Sequence, residues 1–339
     1  MSLRHQQDLL DRHLSDLLGD IEPAARALLH RHLQWVTVAG GQVLLSQGEP
    51  GDSMYLVISG RLRAYQRLDD GSERAIREMG RGQVIGELSL FTDEPRSATI
   101  VAIRDSVLVR LGKAAFDELL ASSSRLSVLL TRQIIHRLQN PQTGAQARPV
   151  AVALLAVTAG VDLPGFAQRL AVQLARQGRV AVVDAAAVDR ALQQPGLARS
   201  KPGEFAADHA IGLHLDAVEA AHDFVLLVGD EGASGWTQRC ARRSDELLLL
   251  ADADQPPELH AIERDCLTHD LGRAEAVETL VLLHPVDRRS PRHTSRWLDR
   301  RPVSHHLHLR PALDRDLARL ARVRADLVDR QFAQPCSLD

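Results

Sequence analysis

Gly86-Glu87-Leu88-Ser89-Leu90-Phe91-Thr92-Asp93-Glu94-Pro95-Arg96-Ser97-Ala98-Thr99 has the composition of an anion cradle. A glycine opens it, a carboxylate follows, and a Pro-Arg-Ser-Ala turn closes it. A loop that closes on a phosphate needs backbone N–H groups turned inward, small residues where the backbone comes close, and a guanidinium to meet the oxygens in a fork. Arg96, followed by Ser97 and Ala98, meets those needs, with Gly86 and Leu88 framing the loop. Glu87 can accept a hydrogen bond from a hydroxyl such as a ribose 2′-OH.

On either side of this stretch, short alternating apolar runs are punctuated by glycines. The runs are 35–38, 54–58, 76–79, 100–103 and 106–111. Regular short strands with glycine turns predict an antiparallel roll or barrel. Two helical stripes precede the strands, Leu9 to Leu18 and Ala24 to Leu33, with Asp20 and Pro23 marking the start of the second. A third, Phe116 to Leu138, follows them. GELSLF with PRSAT, and GGQVLLSQGEPGDSMYLVISGRLRAY upstream, resembles the cyclic-nucleotide-binding domain of cyclic-AMP receptor proteins and kinase regulatory subunits. The resemblance implies a β-roll at 1–140 with flanking helices. Its ligand would be cyclic AMP or cyclic GMP, held by Gly86, Glu87, Leu88, Arg96, Ser97 and Ala98. It also implies that the helix over 114–139 lids the ligand or pairs two subunits; packing on the roll alone accounts for the stripe equally well.

Asn140 to Pro149 is a Pro/Gly/polar linker, assigned to 141–149. Beyond it, apolar runs at 150–157, 180–183, 224–228, 246–250 and 279–283 alternate with helical stretches, the pattern of an α/β sheet with crossover helices, here 150–312. The fold class expected is therefore α+β: a roll followed by an α/β domain. AVALLAVTAGVDLPGFAQRLAVQLARQGRVAVVD resembles the opening of a P-loop ATPase of the MinD/ParA kind. Its loop, Thr158 to Gly165, has no lysine to reach β/γ oxygens and carries Asp162 and Pro164 instead. The expectation is a degenerate P-loop fold that takes no ATP.

SGWTQRCARRSDELLLLADADQPPELHAIE, ETLVLLHPVDRRSPRHTSRWL and HHLHLR are similar to the region preceding the catalytic domain of neuropathy-target-esterase-like patatin phospholipases. In that family a patatin domain follows, with a GxSxG nucleophile elbow and a Ser-Asp dyad. No GxSxG occurs here; Gly232-Ala233-Ser234-Gly235 is one residue short. The segment 313–339 stands where such a domain would begin. The resemblance implies a non-catalytic regulatory module, with a patatin-type domain as partner in cis or in trans. Its rivals are a fragment of an intact phospholipase and a receptor-type transcription regulator; α/β patterning where a helix-turn-helix would stand argues against the regulator.

Composition agrees with a globular chain. Of 339 residues 45% are hydrophobic and 25% charged, and the net charge of -3 gives no bulk attraction to nucleic acid. Only Lys113 and Lys201 are lysines, so 41 − 2 = 39 basic residues are arginine, a bias that GC-rich coding produces without functional demand. Cys240, Cys266 and Cys336 are widely spaced and suit a reducing cytosol. No apolar run approaches the ~18 residues of a membrane span, so the location expected is cytoplasmic or membrane-peripheral. His306 and His308 share one face of a strand. No further ligands stand at recognisable spacing, so they read as structural rather than metal-binding. Trp236 and Trp297 read as core, and the arginines of RRSPRHTSRW as a solvated face.

Overall fold

The computed structural model describes residues 23–68, 70–92, 94–122, 150–267, 276–288, 290–291, 293–301 and 303–322, together with Asp11 and Leu14. The stripe expected at 9–18 (Leu14 apart), Asp20, the helix beyond Ser122, the 141–149 linker, Cys336 and the segment from 323 onward lie outside the described residues. The chain divides into two compact units between Gln146 and Ala147.

In the first unit α1 (Pro23–His32) leads into β1 (Gln34–Val38). Then come β2 (Val43–Leu45), β3 (Ser53–Ser59), β4 (Arg61–Arg67), β5 (Glu73–Gly80), β6 (Val84–Ile85), α2 (Glu87–Thr92), β7 (Thr99–Ala102), β8 (Ser106–Gly112) and α3 (Lys113–Ser122). The strands form two four-stranded sheets, β1-β8-β3-β6 and β2-β7-β4-β5, and their pairings are antiparallel. Alternation puts one face of each sheet inside: Val57 and Leu108 from the first meet Leu62 and Ala102 from the second in one dry cluster. The strands expected from sequence are present; β2, β4 and β6 complete the roll. α2 interrupts the passage from one sheet to the other, so the loop carrying Arg96 lies between β6 and β7.

The second unit runs β9 (Val150–Ala156), α4 (Leu163–Leu174), β10 (Val180–Val183), α5 (Ala185–Leu192), α6 (Phe205–Ala221), β11 (Phe224–Val228) and α7 (Gly235–Arg243). It continues with β12 (Glu246–Asp252), α8 (Ala261–Cys266), β13 (Val277–Leu283), α9 (Thr294–Arg300) and β14 (His305–Leu309). Among the described residues it ends in a helix over 314–322. All six strands are parallel, in the order β10-β11-β9-β12-β13-β14. A parallel sheet covered on both faces wants continuous apolar strands, and β9, β11 and β12 are VAVALLA, FVLLV and ELLLLAD. Leu155 and Leu249 face Ile211, Trp236 and Trp297 from the helices of one side. Leu154 and Leu250 face Phe166 and Leu170 of α4 and Leu317 of the last helix on the other. Both tryptophans are fully buried.

Part of the arginine excess is internal. Arg239 pairs with Asp208, and Arg243 with Asp216 at 2.7 Å, fastening α7 to α6. Arg300 pairs with the buried Glu263, and Arg301 with Glu278 at 2.8 Å, fastening α9. In the stretch expected to be a solvated arginine face, Arg288 is tied to Asp254 while Arg296 is exposed.

Candidate functional site

The phosphate-type loop of the roll is built from its glycine outward. Gly86 has φ +78°, the left-handed region a side chain resists. A Cβ there would meet Arg96 Nη1 at 2.6 Å and Ser53 O at 3.2 Å. The space a side chain would take belongs to the Arg96 guanidinium. Nη1 donates to Gly86 O at 2.8 Å, and Nη2 donates to Ser53 O at 2.7 Å. The Arg96 backbone is pinned as well: its N–H donates to Glu49 O, and its carbonyl accepts from Gly48 N, both at 2.9 Å.

Arg96 is 4% exposed, and among the described residues its Nε finds no hydrogen-bond partner. Burial pulls its pKa below the usual guanidinium value, and the Asp52 carboxylate, 3.7 Å away, opposes that fall. Asp52 is in turn held below the usual carboxylate range. The hydrogen bond from Ser53 Oγ at 2.7 Å is the first cause, and Arg110 and Arg96 add to it against its partial burial. Arg110 Nη2 reaches Asp52 at 3.1 Å.

The six residues singled out from the sequence therefore fall together on one loop. Gly86 and Arg96 touch. Glu87 opens α2 and is buried, Ala98 is buried, Ser97 is exposed, and Leu88 is exposed on α2. Phe91, on the same helix, packs edge-on against Phe116 of α3 at 4.9 Å. Ser53, Asp52 and Arg110 complete the surroundings of Arg96. Sequence reasoning missed them because they lie on β3 and β8 or beside them, far along the chain, and only strand pairing brings them in. A buried, fork-shaped cation under a glycine, with one N–H unused, fits an anion that accepts from guanidinium and backbone together.

In the second unit the corresponding place is the carboxyl edge of the sheet, where the chain leaves β9 toward β10 on one side and later crosses to β12 on the other. That edge is lined with carboxylates that already have partners. Asp162 caps α4 by accepting from Gly165 N at 2.8 Å, and Asp184 caps α5 by accepting from Ala187 N at 2.6 Å. Asp230 takes both Arg199 Nε and Nη2 and the Ser234 hydroxyl. Ser234 itself caps α7 through Thr237 N, so the serine of the near-motif is a structural cap. Burial raises the thiols of Cys240 and Cys266, the latter to about 11, which leaves them inert.

His306 and His308 do share a face of β14, with ring centroids 5.9 Å apart. The sequence did not reveal their companion: His284 Nε2 lies 2.9 Å from His308 Nδ1.

Residues 35–123 match the family model described as cyclic nucleotide-binding domain. Residues 150–334 match the one described as Neuropathy Target Esterase family P-loop like domain, more than half of the chain. The chain belongs to the neuropathy target esterase family. Among curated relatives, patatin-like phospholipase domain-containing protein 7 of Rattus norvegicus is 31% identical over 82% of this chain and 22% of its own length. Lysophospholipase nte1 of Aspergillus oryzae is 31% identical over 81% of this chain and 19% of its own. The chain thus spans about a fifth of these neuropathy-target-esterase relatives, and the shared part is the cyclic-nucleotide-binding domain with the P-loop-like domain. Among solved structures, the regulatory domain of Toxoplasma gondii PKA with cAMP is 26% identical, covering 35% of this chain and 46% of that one with a TM-score of 0.33. The N-terminal domain of a transcriptional regulator from Streptomyces coelicolor is 30% identical, covering 40% and 96% with a TM-score of 0.33. Among the described residues no helix is long and apolar enough to cross a membrane.

Proposed function

We propose that this chain is a non-catalytic sensor of a cyclic nucleotide, cyclic AMP or cyclic GMP, that regulates a patatin-type phospholipase domain in cis or in trans. The supporting observation is Arg96: buried, anchored through Gly86 O and Ser53 O, and left with an Nε unpaired among the described residues. The cyclic phosphate sits over Gly86 and takes its hydrogen bonds from Arg96 and the Ser97 and Ala98 amides. Glu87 accepts from the ribose hydroxyl. The contact of Phe91 with Phe116 transmits the shift of α2 to α3.

The P-loop-like unit acts as an adaptor without ATP chemistry. A triphosphate over Asp162, Asp184 and Asp230 would meet carboxylates, with Arg199 already tied to Asp230 and no lysine in the loop to reach the phosphates. No GxSxG is present to carry hydrolysis. The second reading, a fragment of a complete phospholipase, rests on the relatives being about four times as long.

Calorimetric titration of the chain with cyclic AMP and with cyclic GMP tests the sensor. Saturable heat for one ligand, lost in Arg96→Lys, is expected, because lysine has a point charge and no fork. Absence of heat for both ligands, or equal heat in Arg96→Lys, rejects it.

A further inference from the structure

We propose that the P-loop-like unit docks on an anionic phospholipid surface through an arginine face that α4 and the helix over 314–322 present on one side of the parallel sheet. Both helices belong to that side: Phe166 and Leu170 of α4 and Leu317 of the other helix share one core cluster with Leu154 and Leu250. Their buried positions fix which side chains point outward.

On α4 the buried stripe runs through Phe166, Leu170 and Leu174. Round the helix from it stands Val172, with Arg169 one turn before and Arg176 just past the helix end, one turn after. Both arginines are exposed. Val172 is 62% exposed, the most of any large apolar side chain among the described residues. On the helix over 314–322, Leu317, Leu320 and Ala321 are buried, and Arg315, Arg319 and Arg322 are exposed.

Acid is scarce on this face. α4 holds no Asp or Glu beyond its cap Asp162. On the other helix Asp316 is buried and tied to Arg310, and Asp314 stands at the start. Among the described residues Arg169, Arg176 and Arg322 have no hydrogen-bond or ion-pair partner. The sheet's opposite side uses arginine differently: Arg239, Arg243 and Arg300 each hold a carboxylate there. The whole chain has a net charge of -3, so these exposed arginines are a segregation of charge rather than a surplus.

A lipid leaflet with acidic headgroups matches such a face. Guanidinium forks meet phosphate oxygens on long, flexible stems. Each arginine is drawn to the negative surface, and an apolar side chain between them enters the headgroup layer, as on interfacial helices. Single-stranded nucleic acid is gripped by stacking on aromatic rings, and none stands among the exposed residues of this face.

The test sediments the full chain at low ionic strength with vesicles of phosphatidylcholine, and with vesicles of phosphatidylcholine and phosphatidylglycerol. Binding to the acidic vesicles alone is expected, weakening as salt rises. In Arg169→Gln/Arg176→Gln the affinity should fall roughly twenty- to thirtyfold, at about fivefold per arginine. Arg190→Gln/Arg264→Gln makes the same change of charge on α5 and α8, at the sheet's other side, and should leave most of the binding. No sedimentation with acidic vesicles overturns the proposal. So does equal weakening in the two double variants, which would make the attraction diffuse. Equally tight binding of duplex DNA at the same salt also overturns it, since the face would then take any polyanion. Should the first double variant not fold, the wild type decides. Acidic vesicles should shield Arg169 and Arg176, but not Arg190, from phenylglyoxal, read by peptide mass spectrometry; equal modification with and without vesicles overturns the proposal.

Discussion

The loop after β6 and the loop after β9 begin alike and end with opposite charge. Each places a glycine with positive φ, Gly86 at +78° and Gly160 at +75°, at the turn from a strand toward a helix. In the roll the residue that closes the loop is Arg96, turned in beneath Gly86 and 4% exposed. In the P-loop-like unit it is Asp162, whose carboxylate takes the N-terminal N–H of α4. A helix N-terminus with a phosphate loop attracts anions; here a covalently attached anion already holds it. Both loops keep a left-handed glycine, and the sign of one side chain separates the proposed ligand site from a loop whose helix N-terminus is already capped.

The largest effect that would break this contrast is at Arg96. Arg96→Ala removes the guanidinium that anchors the loop through Gly86 O and Ser53 O together with its charge-assisted bond to the phosphate, a loss of about 2–3 kcal/mol in binding. Calorimetry should show cyclic-nucleotide affinity falling roughly 30- to 150-fold. Unchanged affinity would mean that the two loops do not differ as argued.

Gly86→Ala comes next. Its Cβ must displace the guanidinium, and the backbone stays left-handed, so about 2 kcal/mol of roll stability is lost with ligand binding. Chemical denaturation of the roll measures it.

Asp162→Ala sharpens the other side. Removing the cap costs the P-loop-like unit about 1 kcal/mol, read as a lower urea midpoint. MgATP should still give no heat, because no lysine is gained. Tight ATP binding by this variant would show that Asp162 alone closes the loop.

Gly160→Ala gives the smallest effect. Nothing lies within 4 Å of a Cβ there, so only left-handed strain remains, about 1 kcal/mol. The difference between Gly86→Ala and Gly160→Ala in the same denaturation assay isolates what the packed guanidinium adds.

Much of this was legible in the chain itself, for local reasons. The glycine-punctuated strands of the roll, the continuous apolar runs of β9, β11 and β12, and the Gly86–Arg96 loop are properties of neighbouring residues. What sequence could not disclose depends on non-local pairing. β4 and β6 gain their places from partners across the roll. Asp52 and Arg110 meet Arg96 only because β3 pairs with β8. His284 reaches His308 only because β13 lies beside β14. Arg239, Arg243, Arg300 and Arg301 read as ordinary surface charge until the carboxylates opposite them are known.

The strand order of the parallel sheet has a consequence for how the chain is made. β9 is the first of its strands to be synthesised, yet both its neighbours come later, β11 and then β12. Its run of Val, Ala and Leu stays without a partner while the chain from Val157 to Asp223 is produced. At roughly 5–20 residues per second that is several seconds of unpaired apolar strand on a nascent chain. Folding of this unit is thus dominated by distant pairings and is slow. A ribosome stalled before β11 would leave β9 exposed as a template for aggregation.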